Sequence, residues 1–520
     1  MRQGDFQQGI AGKKILLLSV PAGAGHTRVA EAIRSRAAAD HAGVKVIHLD
    51  AMAFAAPRLR KVYTDFYLFL IGRAPGLWRH VYRLTDEANP DGWFNRLRRW
   101  VERRDCRLLA AEIAALAPDA IVCTHFQPAE ILSQHIAAGK LACPVWVQVT
   151  DFDLHRMWIH PHVAGYFAAN DEVAFRMRGQ GIPAHAVHVA GIPTMPAFSR
   201  PLGRAECARE LGLDPAVTTL LLMGGGAGLG GLSRVAEKLL DIPGDFQLIA
   251  LAGKNAAELA ALQRLAVRYP GRLAPQGFTD RVERLMACAD LVVTKPGGAT
   301  SAECLAMGLP MIVNAPIPGQ EEHNATYLLE QGVALKASDL ATLEYRVRHL
   351  LAHPERLQAM AARARALGRP HAAMQVLETV LMQCERKSEE AYASIVGGRQ
   401  GRIDGGCGAG GGLPVRAGGG GNRRRSRVGG EPADLAYRAA SAARHLDGRA
   451  RADRLPPVDV RLHRPDLPLP AVLHGAVVME AGSLRRGLDH AVLDRRGLPV
   501  VRHQPGLRLA PLQAGTRALA

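Results

Sequence analysis

The sequence lacks several features that would define a class of protein at once. Its eight cysteines include no C-x-x-C pair, which argues against a zinc module and against a disulfide framework. No stretch approaches about 20 uninterrupted apolar residues, so no membrane-spanning helix is predicted. The first 14 residues are polar and lack the apolar core of a secretory signal. These absences predict a cytoplasmic protein whose contact with a membrane would be peripheral.

The positive charge is concentrated towards one end of the chain. The 520 residues carry a formal net charge of +17, and from Gly397 onward 21 arginines face 10 acidic residues, which accounts for +11 of it. Residues 395–520 are rich in Gly and Arg and are predicted to be a disordered, low-complexity tail. Two explanations of this tail remain open. It is either an arginine-rich arm that binds nucleic acid or anionic lipid, or the product of a shifted reading frame in a GC-rich gene.

Short apolar runs before residue 390 predict two α/β domains. Runs that read as strands alternate with helical stretches, which is typical of parallel sheets covered by helices on both faces. The series restarts near residue 218, so two Rossmann-like domains are predicted at 13–195 and 200–390, after a flexible N-terminus at 1–12. Such sheets bind ligands at the carboxyl ends of their strands. The two domains should therefore face each other across a cleft.

An insert at 54–104 combines aromatic and apolar side chains with many arginines. This composition is typical of helices that lie on an anionic membrane surface. A helical cover over the sheet, with its arginines facing water, would have the same composition. Both interpretations remain open.

The first candidate site is the turn Gly23-Ala24-Gly25-His26, between a predicted strand and a predicted helix. Glycines allow a tight turn and a close approach of the backbone to a ligand, and the N–H groups of a helix start attract negative charge. His26 lies at this helix start and is a candidate general base for an acceptor hydroxyl. The alternative is a histidine that caps or packs the helix.

A second glycine turn, at 224–231, also follows a strand and opens a helix. Gly225, Gly226 and Gly228 are therefore candidates for a phosphate cradle. The turn fits the G-x-G-x-x-G spacing, but the next strand ends without the acidic residue that a nicotinamide-dependent enzyme needs. The sequence also lacks G-x-x-x-x-G-K-[ST], which argues against a Walker-type nucleotidase.

The strongest signal is TKPGGATSAE at 294–303, where a strand ends and a glycine turn again precedes a helix. Lys295, Gly297, Gly298 and Thr300 would offer positive potential and N–H groups to a diphosphate. Glu303 lies about one turn into the helix, where its carboxylate can accept two hydrogen bonds from a ribose diol.

A polar loop, PIPGQEEHN, follows at 316–324. Gln320, Glu321 and Asn324 carry side chains of the kind that bind sugar hydroxyl groups. The alternative is a solvated polar loop that caps a helix. This alternative is less plausible for the loops at 294–303 and 316–324 taken together than for either loop alone.

These segments resemble the GT-B glycosyltransferases related to monogalactosyldiacylglycerol synthase and to the bacterial processive diacylglycerol glucosyltransferases. They are more distantly similar to the lipid-linked N-acetylglucosaminyltransferase of peptidoglycan synthesis. The resemblance covers about residues 14–383 and is of the glycosyltransferase family 28 type. It rests on GAGH at 23–26, TDFDLHRMW at 150–158, GFTDRVERLMACADLVVTKPGG at 277–298 and PIPGQEEHNA at 316–325.

The resemblance implies a donor site in the C-terminal domain for UDP-glucose or UDP-galactose, with no other cofactor and no metal. The nucleobase would lie near Phe278, and Glu303 would bind the ribose. The diphosphate would meet 225–228 and 297–300. Gln320 and Glu321 would contact the sugar.

The resemblance also implies an inverting transfer of the hexose to a diacylglycerol-type lipid held by the N-terminal domain. Plant-type members have an acidic residue between the first strand and its glycine turn, but residues 19–22 here, Ser-Val-Pro-Ala, include none. This difference assigns the general base to His26, with Asp151 and His155 of the 150–158 segment as alternatives. The family acts without a metal, and helix dipoles and lysine help to stabilise the leaving diphosphate.

Further expectations concern the partners of the protein and the alternative functions. The enzyme would work at the anionic inner face of the cell membrane, and no specific nucleic acid is expected. A polyprenyl-linked sugar or another hydrophobic molecule is the alternative acceptor. A sugar-nucleotide sensor without catalysis is the non-enzymatic alternative.

Overall fold

The computed structural model of the chain describes residues 10–21, 23–55, 60, 73–87, 107–224 and 231–386. Within these ranges the strands form two six-stranded sheets, and all neighbouring strands are parallel. The prediction of two Rossmann-like domains is confirmed. The tail at 395–520, most of the insert, and the turn residues Gly225, Gly226 and Gly228 lie outside the described residues.

The first sheet has the strand order β2-β1-β3-β4-β5-β6. Its strands are β1 (Lys14–Ser19), β2 (Lys45–Asp50), β3 (Ala120–Cys123), β4 (Val145–Gln148), β5 (Gly165–Ala168) and β6 (Val187–Val189). Leu18 is in register with Cys123, and Cys123 with Val147. The turns that follow β1, β3 and β4 therefore leave the sheet side by side at one edge.

The second sheet has the strand order β12-β11-β10-β7-β8-β9. Its strands are β7 (Thr218–Met223), β8 (Phe246–Leu251), β9 (Leu273–Gln276), β10 (Leu291–Thr294), β11 (Met311–Asn314) and β12 (Ala334–Ala337). Val293 is in register with Leu222, and Thr294 with Val313. The carboxyl ends of β7, β10 and β11 are therefore neighbours as well.

Helices connect the strands in both domains. In the first domain they are α1 (Ala24–Asp40), α2 (Pro75–Glu87), α3 (Arg107–Leu116), α4 (Phe126–Ala137) and α5 (Asp171–Gly179). In the second part of the chain they are α6 (Arg204–Glu210), α7 (Leu232–Leu240), α8 (Ala256–Arg268), α9 (Val282–Cys288), α10 (Gly298–Met307), α11 (Gln320–Glu330), α12 (Leu340–Ala352), α13 (Pro354–Leu367) and α14 (372–386). None of these described helices has both the length and the apolar character needed to cross a bilayer.

Strand β1 shows why the sheets carry helices on both faces. Its central residues are fully buried, and successive side chains of a strand point to opposite faces. Leu16 and Leu18 join the hydrophobic cluster on one face of the sheet, and Ile15 and Leu17 join the cluster on the other. This near-continuous apolar run is typical of a parallel strand that is covered on both sides.

Helix α14 follows the second domain in sequence but packs on the first sheet. Its buried side chains share a cluster with Ile15, Leu17 and Phe167 of the first domain. These helix residues are Val376, Leu377, Val380, Leu381 and Cys384. Sequence order had grouped this segment with 200–390, whereas its apolar face completes the core beneath β1 and β5.

The two domains meet closely along α1 and α10. Val29 of α1 is buried in the same cluster as Ala302 and Leu305 of α10. A Cβ atom at Gly25 would lie 3.8 Å from the Cβ atom of Ala299, so the first turns of the two helices are in contact. This contact brings the carboxyl end of β1 in the first sheet close to the carboxyl end of β10 in the second.

Candidate active site

His26 lies in the first turn of α1, where the chain turns sharply after β1. Gly23, just before the helix, has a φ of 97°, a backbone conformation that glycine adopts without strain. The Nδ1–H group of His26 donates to the carbonyl oxygen of Thr124 at 2.8 Å, and the Thr150 hydroxyl lies 3.0 Å from the same nitrogen. Because a carbonyl can only accept, Nδ1 carries the proton and Nε2 of the neutral ring carries the lone pair.

The surroundings of His26 keep its ring uncharged. The ring of His125 meets it edge-on at 4.7 Å, and Trp158 lies 6.2 Å away. Burial lowers the pKa of His26 to about 4, although the hydrogen bond to the Thr124 carbonyl opposes this shift. At neutral pH the ring is therefore in the form that can accept a proton.

Asp151 and Asn324 join the two domains beside His26. The Asn324 side chain is fully buried; its amide nitrogen donates to Asp151 Oδ1 at 3.2 Å, and its oxygen accepts from the backbone N–H of Phe152 at 2.7 Å. Burial raises the pKa of the Asp151 carboxyl, against the Asn324 hydrogen bond. Both ends of the Asn324 amide thus bind protein atoms, and its predicted contact with sugar stays a prediction.

His155 is held at both ring nitrogens. Its Nδ1 accepts from the backbone N–H of Met157 at 3.1 Å, and its Nε2–H donates to the carbonyl oxygen of Tyr82 at 3.1 Å. Burial also lowers its pKa. The residue fastens α2 to the 150–158 segment, and this arrangement provides no unshared lone pair of the kind that His26 has.

The start of α10 faces the first domain at very short range. A Cβ atom at Gly298 would overlap the carbonyl oxygen of Thr150, so only glycine fits there. The first turn of α10, which includes Thr300, contains no acidic residue. Its N–H groups and the positive end of the helix dipole therefore remain suited to an anion.

Lys295 and Glu321 lie next to this helix start. Burial lowers the pKa of Lys295, and the charge of Glu321 opposes that shift. Glu321 Oε2 accepts from the backbone N–H of Ile317 at 2.6 Å, and a Cβ atom at Gly297 would lie 3.7 Å from its Oε1. Lys295, Gly297 and Glu321 therefore converge, as their two sequence segments predicted, and Gln320 is the first residue of the same helix α11.

Glu303, the predicted ribose ligand, is buried in α10 and pairs with Arg28 of the first domain. Arg28 Nε donates to Glu303 Oε1 at 3.0 Å. Burial raises the pKa of the Glu303 carboxyl, whereas the charge and the hydrogen bond of Arg28 lower it. No local sequence pattern pointed to Arg28.

The glycine turn before α7 differs from that before α10. The N–H groups of Gly231 and Ser233 donate to the Glu258 carboxylate at 2.7 and 2.9 Å. The start of α7 is thus already occupied by a carboxylate. A phosphate bound by this turn would have to meet residues before Gly231.

Phe278 follows β9 at the same edge of the second sheet, and its ring is largely exposed. The Lys254 ammonium lies 5.1 Å from the centre of that ring. The exposed ring is available for stacking, which is compatible with the predicted nucleobase position.

Helix α2, which lies within the insert, contacts the polar segment at 316–324 of the second domain. Arg79 makes a two-pronged ion pair with Glu322 at 3.2 and 2.7 Å. A Cβ atom at Gly319 would lie 2.7 Å from the ring of Tyr82, which also stacks near His323 at 5.9 Å. Helix α2 therefore contacts both domains, which the composition of the insert did not indicate.

Comparisons with known proteins agree with this arrangement. Residues 26–194 match the family model for monogalactosyldiacylglycerol (MGDG) synthase, and residues 219–376 match the glycosyltransferase family 28 C-terminal domain. The processive diacylglycerol beta-glucosyltransferase of Bacillus pumilus (strain SAFR-032) is 28% identical over 379 residues, which are 72% of this chain and 96% of the relative. The protein of the same name from Bacillus cereus (strain AH187) is 27% identical and covers 72% of this chain and 95% of its own.

Solved structures show lower similarity. Acinetobacter baumannii MurG is 17% identical, covers 71% of this chain and 99% of its own, and aligns with a TM-score of 0.48. Anabaena Alr3699/HepE in complex with UDP and glucose is 14% identical, covers 74% of this chain and 100% of its own, and has a TM-score of 0.41.

The two matched domains and the two parallel sheets define the class: the chain is a glycosyltransferase with the GT-B fold. Within this class, its first domain matches the MGDG synthase family model and its second domain matches the family 28 C-terminal domain. The resemblance that its motifs predicted is thereby confirmed.

Proposed function

We propose that this enzyme transfers a hexose from a UDP-sugar, UDP-glucose or UDP-galactose, to a hydroxyl group of a diacylglycerol-type lipid. The observation that carries the proposal is His26, neutral and with its proton fixed on Nδ1, beside the contact between α1 and the start of α10. The Bacillus relatives are named for glucosyl transfer to diacylglycerol, which supports the acceptor.

In the proposed reaction, His26 Nε2 removes the proton of the acceptor hydroxyl. The hydroxyl oxygen attacks the anomeric carbon from the face opposite the diphosphate, and the bond between that carbon and the diphosphate oxygen breaks. UDP leaves with the electron pair, so the configuration at the anomeric carbon is inverted. The first N–H groups of α10 and the Lys295 ammonium stabilise the charge that develops on the diphosphate. No metal takes part.

In this proposal the Thr124 carbonyl orients the His26 ring. Residues 19–22 contain no acid, and the Thr124 carbonyl instead accepts the Nδ1 proton of His26. A carbonyl dipole fixes the tautomer without placing a full charge beside the ring. Asp151, whose Oδ1 accepts from the Asn324 amide, stays an alternative catalytic residue on the 150–158 segment.

Donor recognition is proposed from the second domain. Phe278 stacks with the nucleobase, the Glu303 carboxylate accepts from the ribose hydroxyls, and Gln320 and Glu321 bind the sugar. Asn324 would contribute by holding the 151–152 backbone in place beside the sugar.

A peripheral position on the anionic inner face of the cell membrane is proposed for the enzyme. Leu77 and Leu84, one heptad apart on α2, are exposed, and so are the neighbouring Arg73 and Arg83. An apolar stripe flanked by arginines is suited to an anionic lipid surface.

The test uses the full chain, vesicles that contain diacylglycerol, and labelled UDP-glucose or UDP-galactose. We expect a lipid-linked product with one of these donors, and we expect His26→Ala to lower kcat by about a hundredfold or more while UDP still binds. His353→Ala, an exposed histidine at the end of α12, is the matched control. If product formed only with a polyprenyl-linked acceptor, that molecule and not diacylglycerol would be the acceptor. If the protein bound UDP but formed no product, a sugar-nucleotide sensor without catalysis would be favoured.

Two further measurements address the course of the reaction. Proton NMR of the product should show a β linkage from the α-linked donor, and a chelator should leave the rate unchanged. An α-linked product would contradict direct attack by the acceptor, and a rate lost with chelator and regained with a divalent cation would contradict the metal-free step.

A further inference from the structure

The ion pair between Arg28 and Glu303 crosses from one domain to the other. Arg28 lies on α1 and Glu303 on α10, 275 positions later in the chain. The Glu303 side chain is 8% exposed and the Arg28 side chain 28%. The carboxylate is therefore almost fully buried, and its arginine partner is largely so.

A carboxylate in this position depends on its partner. Burial raises the pKa of Glu303, and the negative charge of Glu283 raises it further. The charge and the hydrogen bond of Arg28 act in the opposite direction. Without Arg28 the carboxyl would take up a proton more readily, and a protonated carboxyl accepts fewer hydrogen bonds from a diol.

The geometry leaves part of the carboxylate for a ligand. Arg28 binds Oε1, and no other hydrogen bond to Glu303 is present from the described residues. A ribose diol offers two O–H donors, which the remaining lone pairs of the two carboxylate oxygens can accept.

The position of Arg28 is fixed by its neighbours on α1. His26, two residues earlier, is held by Thr124 and Thr150, and Val29, the next residue, is buried against α10. The same helical turn therefore carries the base for the acceptor and the partner of the donor-binding carboxylate.

We propose that Arg28 is a positioning residue for the donor: it holds Glu303 as a charged, oriented acceptor for the ribose diol. The proposal rests on the proposed function, in which Glu303 binds the ribose. It makes the affinity of the second domain for the nucleotide depend on a residue of the first.

The test is calorimetric titration of the full chain with two probes, UDP and 2′,3′-dideoxy-UDP. We expect Arg28→Met to weaken UDP binding by about tenfold, because a charge-assisted contact to the diol is impaired. The same variant should bind the dideoxy probe as the wild type does, within about twofold, because that probe has no diol to lose. Arg28→Lys should recover part of the UDP affinity.

Two controls separate this role from a loss of structure. Arg34→Met removes an exposed arginine of the same helix that pairs with Glu31, and it should bind both probes normally. Glu303→Gln should weaken UDP binding as Arg28→Met does, and the double variant should be no weaker than Glu303→Gln alone. In turnover, the KM for the UDP-sugar should rise by about tenfold in Arg28→Met, with kcat within about threefold of the wild type.

An equal loss of UDP and of dideoxy-UDP in Arg28→Met would overturn the proposal, because the effect would not involve the diol. Unchanged UDP affinity, or additive losses in the double variant, would overturn it as well. If the wild type bound no UDP, the donor assignment itself would fail, and the role of Arg28 with it. If the melting curve shows that Arg28→Met does not fold, the UDP affinities of Arg28→Lys and Glu303→Gln test the proposal instead.

Discussion

The starts of helices α7 and α10 differ in what meets their first N–H groups. Each helix follows a parallel strand and a glycine-rich stretch of the sequence, and the two strands, β7 and β10, are neighbours in one sheet. At α7 the N–H groups of Gly231 and Ser233 are bound by Glu258. At α10 the first turn has no acidic residue, and Lys295 lies beside it.

This difference shows that a glycine turn before a helix does not by itself make a phosphate site. The helix dipole attracts any negative charge, and a carboxylate of the protein satisfies it as well as a ligand does. The two helix starts therefore differ: the Glu258 carboxylate binds N–H groups at the start of α7, whereas the first turn of α10 has no acidic residue and is the start proposed for the donor diphosphate. Four experiments test this difference.

The largest effect is expected from Gly298→Ala at the start of α10. A methyl group there would overlap the Thr150 carbonyl, so the helix start and the 150–158 segment would have to move apart. We expect kcat/KM to fall by about a hundredfold, because small displacements in a site cost this much. Gly297→Ala is the matched comparison, since its nearest neighbour, Glu321 Oε1, would be 3.7 Å away. Equal losses in the two variants would show that tight packing is not what Gly298 provides.

The next effect is expected from Lys295→Met, which removes the cation beside α10. We expect kcat/KM to fall on the order of thirtyfold, because the leaving diphosphate loses part of its charge stabilisation. Lys254→Met removes an exposed lysine of the same domain, next to Phe278, and should cost less than about threefold. If both variants lose the same activity, only general positive charge matters, and the distinction between the two helix starts is weakened.

A smaller effect is expected from Glu258→Ala at α7. The variant leaves two N–H groups without their acceptor, and we expect the free energy of unfolding to fall by about 1 kcal/mol, as for other helix caps. Activity should stay within about threefold of the wild type. Chemical denaturation and initial rates measure the two quantities. A loss of activity as large as that of Lys295→Met would indicate that α7 also serves the donor.

The smallest effect is a pH dependence of that stability difference. Burial raises the pKa of Glu258, but its hydrogen bonds to Gly231 and Ser233 outweigh this and hold the pKa below 4.5. The folded state then binds fewer protons than the unfolded state, so the stabilisation is complete above pH 4.5 and is lost as the pH falls through the folded-state pKa. The difference in the free energy of unfolding between wild type and Glu258→Ala should therefore decrease at acidic pH. A difference that stayed constant down to pH 3 would mean that the charge of Glu258 is not involved.

Local sequence pattern was sufficient to predict much of the fold and the relative positions of several candidate residues. The apolar runs placed most of the described strands, and the parallel arrangement then brought Lys295 and Glu321 together, because the turns after β10 and β11 are neighbours. His26 followed from the same reasoning at the end of β1. These predictions needed only the pattern of apolar residues along the sequence and the rule that ligands bind at the carboxyl ends of strands.

Long-range partners could not be predicted in this way. Arg28 contacts Glu303 across 275 positions, and Asn324 contacts the Phe152 backbone across 172, and neither pairing leaves a periodic signal in the sequence. No sequence motif indicated that Glu258 would bind the N–H groups at the start of α7. His155 matched a family segment, but its two hydrogen bonds depend on α2, whose docking no pattern revealed.

The packing of α14 on the first sheet has a consequence for biosynthesis. Val376, Leu377, Val380 and Leu381 cover Ile15 and other residues near the beginning of the chain. A ribosome must therefore release almost all of both domains before the first core can close. Any fragment that stops after the first sheet would leave an apolar surface open to solvent, and the first domain reaches its final form only when the second has emerged.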